Sequence, residues 1–373
     1  MRVEVCLEER GKGEESSAAE ELMDCKINIV MYSVARFIAE SAMGQKKQEI
    51  SGPDQVLEIA SGFQKSRILL TAFELDIFTA IGGESLSSAD VAHKIGARPK
   101  STDRMLNALC AMGLLAKERE LFSNTAVSAK YLVRGSEEYL SRIGHMLNLY
   151  RTWGTLTEAV RAGTSVTARE YDEKSLVHFI EAMHHRAKKT SQLLVSHIDL
   201  NGVRRLLDVG GGSGVYSMAF VRAGKDLRAV VFDTPAVVRL TREYIAESGL
   251  EGSIETRAGD YLSGGFGDGY DLVFMSAIVH INSYEENRAL VANAFAALNP
   301  GGRIVIQDHI MEDDRTAPAR GALFALNMLV NTEKGDTYTE TEIREWLEKA
   351  GCADISRIPT GMENDLMVGT RPR

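Results

Sequence analysis

The stretch LDVGGGSG at residues 207–214 decides the fold of this chain of 373 residues. An apolar strand pattern, Arg205 to Val209, runs into the glycines, and a helical pattern, Val215 to Arg222, follows them. Glycines are needed where the backbone turns sharply and where a ligand lies against it without Cβ atoms in the way. The stretch therefore predicts a strand, a turn and a helix, with a nucleotide-like ligand over the turn.

The spacing of these glycines excludes two common nucleotide sites. A dinucleotide fingerprint has its third glycine five residues after the first, and that position is Val215 here. This chain instead has Gly210, Gly212 and Gly214, and no Gly-Lys-Ser/Thr follows them as in a P-loop. Asp208 at the mouth of the turn would repel a pyrophosphate, but it suits a ligand that carries an ammonium and a sulfonium group.

The next two strands end in residues that fit the rest of an adenosine. Asp233 ends the second strand, about twenty residues beyond the glycine turn, where a carboxylate accepts hydrogen bonds from both ribose hydroxyls. The third strand ends in Gly259, Asp260 and Tyr261, which are placed to meet the adenine edge and ring. Acidic residues and glycines often end strands, but these strand ends in this order favour adenosine joined to an amino acid.

The C-terminal half of the chain alternates short β-rich runs with helical patterns. The runs are LLDV, AVVFD, SIETR, DLVFMSAI, RIVIQD, ISRI and LMVGT. Strands that alternate with helices predict a mainly parallel sheet with ligands at the carboxyl ends of its strands. We therefore expect an α/β fold with a seven-stranded Rossmann-like sheet over residues 196–373.

Residues 53–133 predict a smaller N-terminal domain of winged-helix type. Helical patterns cover Arg67 to Ile81, a segment that starts at Ser87, and Ser101 to about Met112, and a β-ribbon follows over Leu114 to Phe122. A winged helix can bind DNA, but basic and acidic residues nearly balance here, whereas a phosphate-binding face needs a positive excess. With a formal net charge of -9 for the whole chain, nucleic acid is excluded as a partner and a dimerisation module is favoured.

Two further segments complete the predicted organisation. The N-terminal extension, residues 1–50, consists of an acidic segment that we expect to be a mobile tail and of one helical pattern from Ile27 to Met43. Residues 136–195 are helical by periodicity and predict a connector that covers a substrate pocket.

The composition and the N-terminal sequence predict a cytoplasmic protein that neither enters a membrane nor holds a metal. Glutamates occupy the N-terminal positions where a signal peptide needs apolar residues, and no segment is long enough to span a bilayer. The four cysteines lie far apart, without metal-ligand spacing. His184 and His185 are neighbours on a helix, so their side chains point about 100° apart and cannot share one ion.

In this order, the motifs resemble those of class I S-adenosylmethionine-dependent methyltransferases. LDVGGGSG, VVFD, GDYL, DLVFMSAIVH and LNPGGRIVIQD carry the resemblance, which covers roughly residues 53–370. The winged-helix segment and the FxxAM-like Phe179 to Met183 are similar to those of small-molecule O-methyltransferases, which include plant caffeic acid, bacterial polyketide and hydroxyindole enzymes. The resemblance implies S-adenosyl-L-methionine as cofactor, S-adenosyl-L-homocysteine as product, and a homodimer through the N-terminal domain.

His280 is the candidate general base of this reaction. It follows the fourth strand, predicted over Asp271 to Val279, which neighbours the first strand and opens onto the cofactor. An imidazole there takes a proton from a phenol during methyl transfer, and its position matches the catalytic histidine of the family. Asp308, after the fifth strand, stands where plant relatives have a glutamate and is expected to orient His280. We expect His309 to point to the opposite side of the extended chain.

The acceptor side departs from the plant pattern. Plant enzymes follow the catalytic histidine with Asp-Trp, whereas this chain has Ile281 and Asn282, and their second carboxylate corresponds roughly to Thr337. The acceptor pocket must therefore differ from theirs. Its candidate residues are Trp153, Met183, Phe324, Asn327, Met328 and Asn331. Ser276, on the fourth strand, joins the candidate cofactor residues.

The leading hypothesis is O-methylation of a hydroxylated aromatic small molecule, with His280 as base. Methylation at carbon or nitrogen on the same frame is the first alternative. A ligand-sensing winged-helix regulator and a nicotinamide oxidoreductase are more distant, and Val215 in place of the third glycine disfavours the latter.

Overall fold

The computed structural model describes residues 50–167 and 173–373, except the side chains at 173–175 and 178. The predicted tail and the predicted helix between Ile27 and Met43 lie outside these ranges. Within the described ranges, no helix has the length and the apolar character that a membrane span requires.

The N-terminal part of the described chain is mostly helical. Its helices are α1 (Pro53–Ser61), α2 (Phe63–Glu74), α3 (Ile77–Ile81), α4 (Ser88–Lys94), α5 (Pro99–Ala111) and α6 (Ala126–Tyr131). The single helical pattern predicted up to Ile81 is wrong, because it divides into α2 and α3 around Asp76. Asp76 has φ 56°, a left-handed conformation that cannot continue a right-handed helix. Helix α4 begins with the predicted capping box, in which Ser87 and Asp90 bond to each other's backbone N–H.

A small antiparallel sheet packs with these helices. Its strands are β1 (Leu86–Ser87), β2 (Leu115–Glu118) and β3 (Leu121–Asn124), in the order β1-β3-β2. The predicted ribbon is therefore present, and its second strand extends slightly beyond the prediction. Phe78, Leu106, Phe122 and Ile143 belong to one buried cluster, so this core also includes the start of the next helix.

Four helices form the predicted helical connector. They are α7 (Ile143–Trp153), α8 (Leu156–Ala162), α9 (Glu173–Lys188) and α10 (Ser191–Val195). Helix α9 contacts the two helices that follow the first two strands of the large sheet, which brings the connector next to the glycine turn.

The large sheet has the seven predicted strands. They are β4 (Arg205–Val209), β5 (Arg228–Asp233), β6 (Ile254–Ala258), β7 (Tyr270–Ser276), β8 (Leu298–Asp308), β11 (Ala353–Ile358) and β12 (Asp365–Thr370). Their order is β11-β12-β8-β7-β4-β5-β6, and β12 runs antiparallel to both of its neighbours. The carboxyl ends of β4 to β8 therefore meet at one edge, where ligands of open α/β sheets bind.

Helices cover both faces of this sheet. They are α11 (Val215–Ala223), α12 (Pro235–Ser248), α13 (Tyr284–Ala297), α14 (Ala319–Asn331) and α15 (Glu340–Ala350). A short parallel pair, β9 (Ile310–Met311) and β10 (Tyr338–Thr339), flanks α14. Leu206 and Leu207 are both fully buried, in clusters on opposite faces, as expected for a strand covered on both sides.

The fourth strand of the sheet, β7, is shorter than predicted. It ends at Ser276 and not at Val279, because Ala277 has a positive φ of 54° and Val279–Ile281 form a 3-10 turn. The prediction of a strand up to Val279 is therefore wrong, since the apolar run continues past the point where the backbone leaves the sheet. His280 lies on the turn.

Candidate active site

The glycine turn after β4 adopts a conformation that needs glycine. Gly210, Gly212 and Gly214 have φ of 67°, 56° and 74°, in the left-handed region that side chains disfavour. A Cβ on Gly210 would lie 2.3 Å from Ile278 Cδ1, whereas the nearest atom to a Cβ on Gly212 would be 4.0 Å away, on Ile180. Gly210 thus allows close packing, and Gly212 leaves a face of the turn open to a ligand.

Asp208 lies beneath this turn and not at its mouth, where the sequence placed it. Its carboxylate is 1% exposed, and a Cβ on Gly211 would lie 2.7 Å from Asp208 Cγ. Ser217 Oγ donates to Asp208 Oδ2 at 2.7 Å, while Oδ1 has no hydrogen-bond partner among the described residues. Burial, and to a lesser extent the charge of Asp233, raises the pKa of Asp208 to about 7.

Asp233, at the end of β5, accepts a hydrogen bond from the glycine turn. Gly212 N donates to Asp233 Oδ2 at 2.9 Å, and Thr234 N donates to Oδ1 at 2.7 Å. Thr241 on α12 holds the turn from the other side by donating to Gly212 O at 2.6 Å. Burial raises the pKa of Asp233, although the backbone hydrogen bonds oppose this shift. The structure thus brings two predicted cofactor residues, Gly212 and Asp233, into direct contact.

The residues after β6 lie beside this pair. Gly259 N donates to Asp233 O at 3.0 Å. Asp260 is exposed and closes its own turn by accepting hydrogen bonds from Leu262 N at 3.0 Å and Ser263 Oγ at 2.8 Å. Burial raises the pKa of Tyr261 to about 12, so its phenol stays protonated. The backbone of Gly259 is therefore tied to that of Asp233, while the placement of Gly259, Asp260 and Tyr261 against an adenine stays a prediction.

Ser276 and His184 extend the set of residues around the turn. Ser276 Oγ donates to Gln307 Oε1 on β8 at 2.6 Å. His184 Nδ1 lies 2.9 Å from Ser213 Oγ in the glycine turn, and its ring stacks on Tyr244 with centroids 4.3 Å apart. Burial lowers the pKa of His184 to about 4, so it is neutral at ordinary pH.

No sequence signal indicates the His184 contact, because it joins α9 to a residue of the glycine turn that lies 29 positions later in the chain. Helix α9 therefore contacts the glycine turn through the side chain of His184. Among the described residues, no cluster of His, Cys, Asp or Glu has the arrangement of a metal site.

His280 and Asp308 form a pair at the carboxyl ends of β7 and β8. His280 Nδ1 lies 2.9 Å from both Asp308 Oδ1 and Oδ2, and the two side chains are 13% and 2% exposed. Burial opposes ionisation of Asp308, but the charge and hydrogen bond of His280 outweigh it and hold the pKa of Asp308 below its usual range. A carboxylate only accepts hydrogen bonds, so Nδ1 of His280 carries the proton that faces Asp308.

Phe324 on α14 packs against this pair. Its ring meets His280 edge-on, with centroids 4.9 Å apart, and meets His309 at 4.5 Å. Both imidazoles therefore contact the same aromatic ring, while the direction of the His309 side chain relative to that of Asp308 stays a prediction. Burial lowers the pKa of His309 to about 4. His309 N donates to Asp308 Oδ1 at 2.8 Å, so the backbone at this position helps to hold the carboxylate.

Most of the other predicted acceptor residues lie on α7 and α14. Trp153 Nε1 donates to Asn327 Oδ1 at 3.0 Å, and Asn331 Nδ2 donates to the same oxygen at 3.1 Å. Met328 is buried on α14, and Met183 is half-buried on α9. The structure therefore joins Trp153, Asn327 and Asn331 in one polar group.

Asn331 also lines a cleft of about 490 Å³ beside the His280 turn, together with Ile281, Asn282 and Thr332. Thr337, in place of the second plant carboxylate, is buried.

Models of two protein families match this chain. An O-methyltransferase domain matches residues 153–353, and an O-methyltransferase dimerisation domain matches residues 57–134. Residues 135–152 separate the two matches.

Individual proteins are similar over most of the chain. The 3-hydroxy-5-methyl-1-naphthoate 3-O-methyltransferase of Streptomyces sahachiroi is 32% identical over 82% of this chain and 91% of its own length. The tetracenomycin polyketide synthesis 8-O-methyl transferase of Streptomyces glaucescens is 28% identical over 87% and 98%. The crystal structure of human N-acetylserotonin methyltransferase in complex with S-adenosylmethionine matches with a TM-score of 0.74 and 25% identity, over 88% of this chain and 99% of that one.

Proposed function

Because this chain belongs to the O-methyltransferase family, we propose that it methylates a phenolic hydroxyl of a small molecule, with His280 as general base. The enzyme depends on S-adenosylmethionine and acts on hydroxylated small molecules. The observation that carries the proposed base is the 2.9 Å contact of His280 Nδ1 with a buried Asp308.

The glycine turn and the strand ends suit S-adenosylmethionine. Gly212 leaves the face of the turn open. Asp208 Oδ1, which has no hydrogen-bond partner among the described residues, is an acceptor for the ammonium group of the cofactor. Asp233 already accepts two backbone hydrogen bonds, but a carboxylate has about four acceptor positions and can also take ribose hydroxyls. The proposed cofactor residues are Asp208, Gly210, Gly212, Gly214, Asp233, Gly259, Asp260, Tyr261 and Ser276.

The proposed chemistry needs alignment and one proton acceptor. When bound, S-adenosylmethionine supplies a methyl group that its sulfonium already activates. Asp308 holds the Nδ1 proton of His280, so that Nε2 takes the proton of the acceptor hydroxyl as that oxygen attacks. Phe324 fixes the plane of the imidazole by its edge-on contact, which keeps Nε2 aimed at one place.

The proposed acceptor is aromatic and hydroxylated. The similar enzyme of Streptomyces sahachiroi is named for a hydroxylated naphthoate, and the residues proposed to line the pocket supply aromatic and apolar surface with few polar groups. They are Trp153, Met183, Phe324, Asn327, Met328 and Asn331. A pocket that is mostly apolar with a few placed polar groups is typical of small-molecule sites.

We also propose that the enzyme is a cytoplasmic homodimer, joined through its N-terminal domain of winged-helix type. The dimerisation match begins inside α1, and α1 has no buried residue. Val56, Leu57, Ile59 and Phe63 expose more than half of their surface. A cluster of exposed apolar side chains favours a protein partner, and the family match favours a second copy of this chain.

The replacement of His280 by alanine tests the proposed base. We expect kcat with a responsive phenol, found by screening naphthols and simpler phenols, to fall roughly 100-fold to 10,000-fold. The Kd for S-adenosylhomocysteine, measured by calorimetry, should stay within about threefold, because the change leaves the glycine turn intact. His93→Ala, at an exposed histidine on α4, is the matched control. Unchanged turnover in His280→Ala would exclude the base, and labelled methyl found on carbon or nitrogen would exclude O-methylation.

A further inference from the structure

Two buried amides hold the turn that carries His280. Asn287 Nδ2 donates to Val279 O at 2.8 Å. Asn282 Nδ2 donates to Asn287 Oδ1 at 3.0 Å and, more weakly, to Ile278 O at 3.4 Å. Both asparagines are buried, since Asn282 is 4% exposed and Asn287 is 0% exposed. The position of the proposed base therefore depends on how the side chain of Asn282 is oriented.

Tyr261 connects this amide to the proposed adenosine site. Its hydroxyl donates to Asn282 Oδ1 at 3.1 Å, and its backbone directly follows Asp260. The three hydrogen bonds of the Asn282 side chain fit a single orientation of its amide. In that orientation, Oδ1 accepts from one donor and Nδ2 donates to two acceptors. Without the Tyr261 hydroxyl, Oδ1 would be left as an unsatisfied buried acceptor, and the amide would lose the bond that ties it to the cofactor side.

We propose that Tyr261 and Asn282 are positioning residues that couple adenosine binding to the placement of His280. An adenine against the Tyr261 ring fixes the direction of its hydroxyl. That hydroxyl fixes the Asn282 amide, and the amide holds the turn from which His280 reaches Asp308. This inference rests on the proposed role of His280 as base. Plant enzymes do not have asparagine at the position of Asn282, so this coupling is specific to chains that carry the amide.

Tyr338 provides a matched control for Tyr261. Tyr338 is a buried tyrosine that likewise donates to Asn282, but its hydroxyl meets the backbone O at 2.5 Å. It reaches the turn from β10, which pairs with β9 and not with a strand that ends in a proposed cofactor residue. Tyr338→Phe therefore removes one hydrogen bond from the same residue, without interrupting the path from the cofactor side.

Hydrogen exchange of the full-length protein tests the coupling without relying on catalysis. The N–H groups of Ile281 and Asn282 donate within the turn, so their exchange reports its order. In the wild type and in Tyr338→Phe, saturating S-adenosylhomocysteine should slow exchange over residues 278–282 by about tenfold. In Tyr261→Phe this slowing should disappear, while protection of residues 210–214 remains. The proposal would be overturned if the ligand still slowed exchange over residues 278–282 in Tyr261→Phe, or if Tyr338→Phe lost this slowing to the same extent.

Kinetics provide a second, separable test. Tyr261→Phe should lower kcat about tenfold, with the KM for S-adenosylmethionine within about threefold, because one buried hydrogen bond to the turn is lost. In the His280→Ala background, Tyr261→Phe should cause no further loss, since its effect passes through His280. Additive losses would contradict a positioning role. If His280→Ala keeps full turnover, the proposed base fails, and the exchange experiment still decides whether the turn is coupled to the cofactor.

Discussion

The proposed cofactor side and the proposed acceptor side of this enzyme are built in different ways. On the cofactor side, the ends of β4, β5 and β6 follow one another in sequence, and their polar groups bond to each other, as Gly212 does to Asp233. On the acceptor side, the contacts join distant segments, and Trp153 and Asn327 are 174 positions apart. Local motifs are therefore enough to predict the cofactor residues, whereas the predicted acceptor residues come together only through the packing of helices.

Among the variants that test this difference, Asp308→Asn should have the largest effect. We expect kcat to fall by about 100-fold or more, because a neutral amide no longer requires the proton on His280 Nδ1 and its NH₂ group can favour the wrong tautomer. The Kd for S-adenosylhomocysteine should change by less than about threefold. Steady-state kinetics and calorimetry measure both quantities. A parallel loss of affinity would show that the two sides are not separable.

Asp208→Asn tests the cofactor side and should have a smaller effect. We expect the Kd for S-adenosylhomocysteine to rise about tenfold, because an amide cannot form a charged pair with the ammonium group. Fluorescence or calorimetric titration measures this change. Unchanged affinity would show that the buried carboxylate only supports the turn.

The same variant tests the raised pKa of Asp208 in the ligand-free protein. A carboxyl group whose pKa is raised in the folded state holds its proton more tightly there than in the unfolded chain. The protonated carboxyl group therefore stabilises the fold fully below its usual pKa of 3.8, and this contribution is lost as the pH rises through the folded-state pKa of about 7. Between these limits, the wild type should lose roughly 1 kcal/mol of unfolding free energy per pH unit relative to Asp208→Asn. Urea unfolding at pH 5 and 7 measures the slope, and equal slopes would contradict the shift.

The smallest expected effect is that of Trp153→Phe on the acceptor side. The variant loses one hydrogen bond to Asn327, which corresponds to about a fivefold rise in the KM for the acceptor, while affinity for S-adenosylhomocysteine stays the same. Trp346→Phe is the matched control, because Trp346 is fully buried on α15 and its Nε1 has no partner among the described residues. The control should lower stability without changing that KM. If the two variants had equal KM values for the acceptor, Trp153 would not belong to the acceptor site.

The sequence predicted the parts of the site that depend on local backbone. The run from Arg205 to Val209 is a strand with the predicted bounds, and the glycines adopt the conformations that their spacing required. The pair of His280 and Asp308 was also predictable, because the carboxyl ends of neighbouring parallel strands meet at one edge.

Other features depended on distant residues and were missed or misplaced. The sequence extended β7 to Val279, since an apolar run does not show where a chain leaves the sheet. It placed Asp208 at the mouth of the turn, because the burial of that carboxylate depends on Ser217 and on the packing beneath Gly211. The contacts of His184 with Ser213 and of Tyr261 with Asn282 had no sequence signal, because each joins side chains from separate elements.

The sequence by itself therefore determined the α/β fold, the family and the residues of the glycine turn, since these follow from periodicity and from the backbone freedom of glycine. Only the tertiary structure decided the burial of Asp208, the single amide that links Tyr261 to the His280 turn, and the group formed by Trp153 and Asn327. The physical reason is that pKa values and hydrogen-bond networks depend on which side chains the packing brings within about 3 Å of one another. Neither composition nor spacing records that distance.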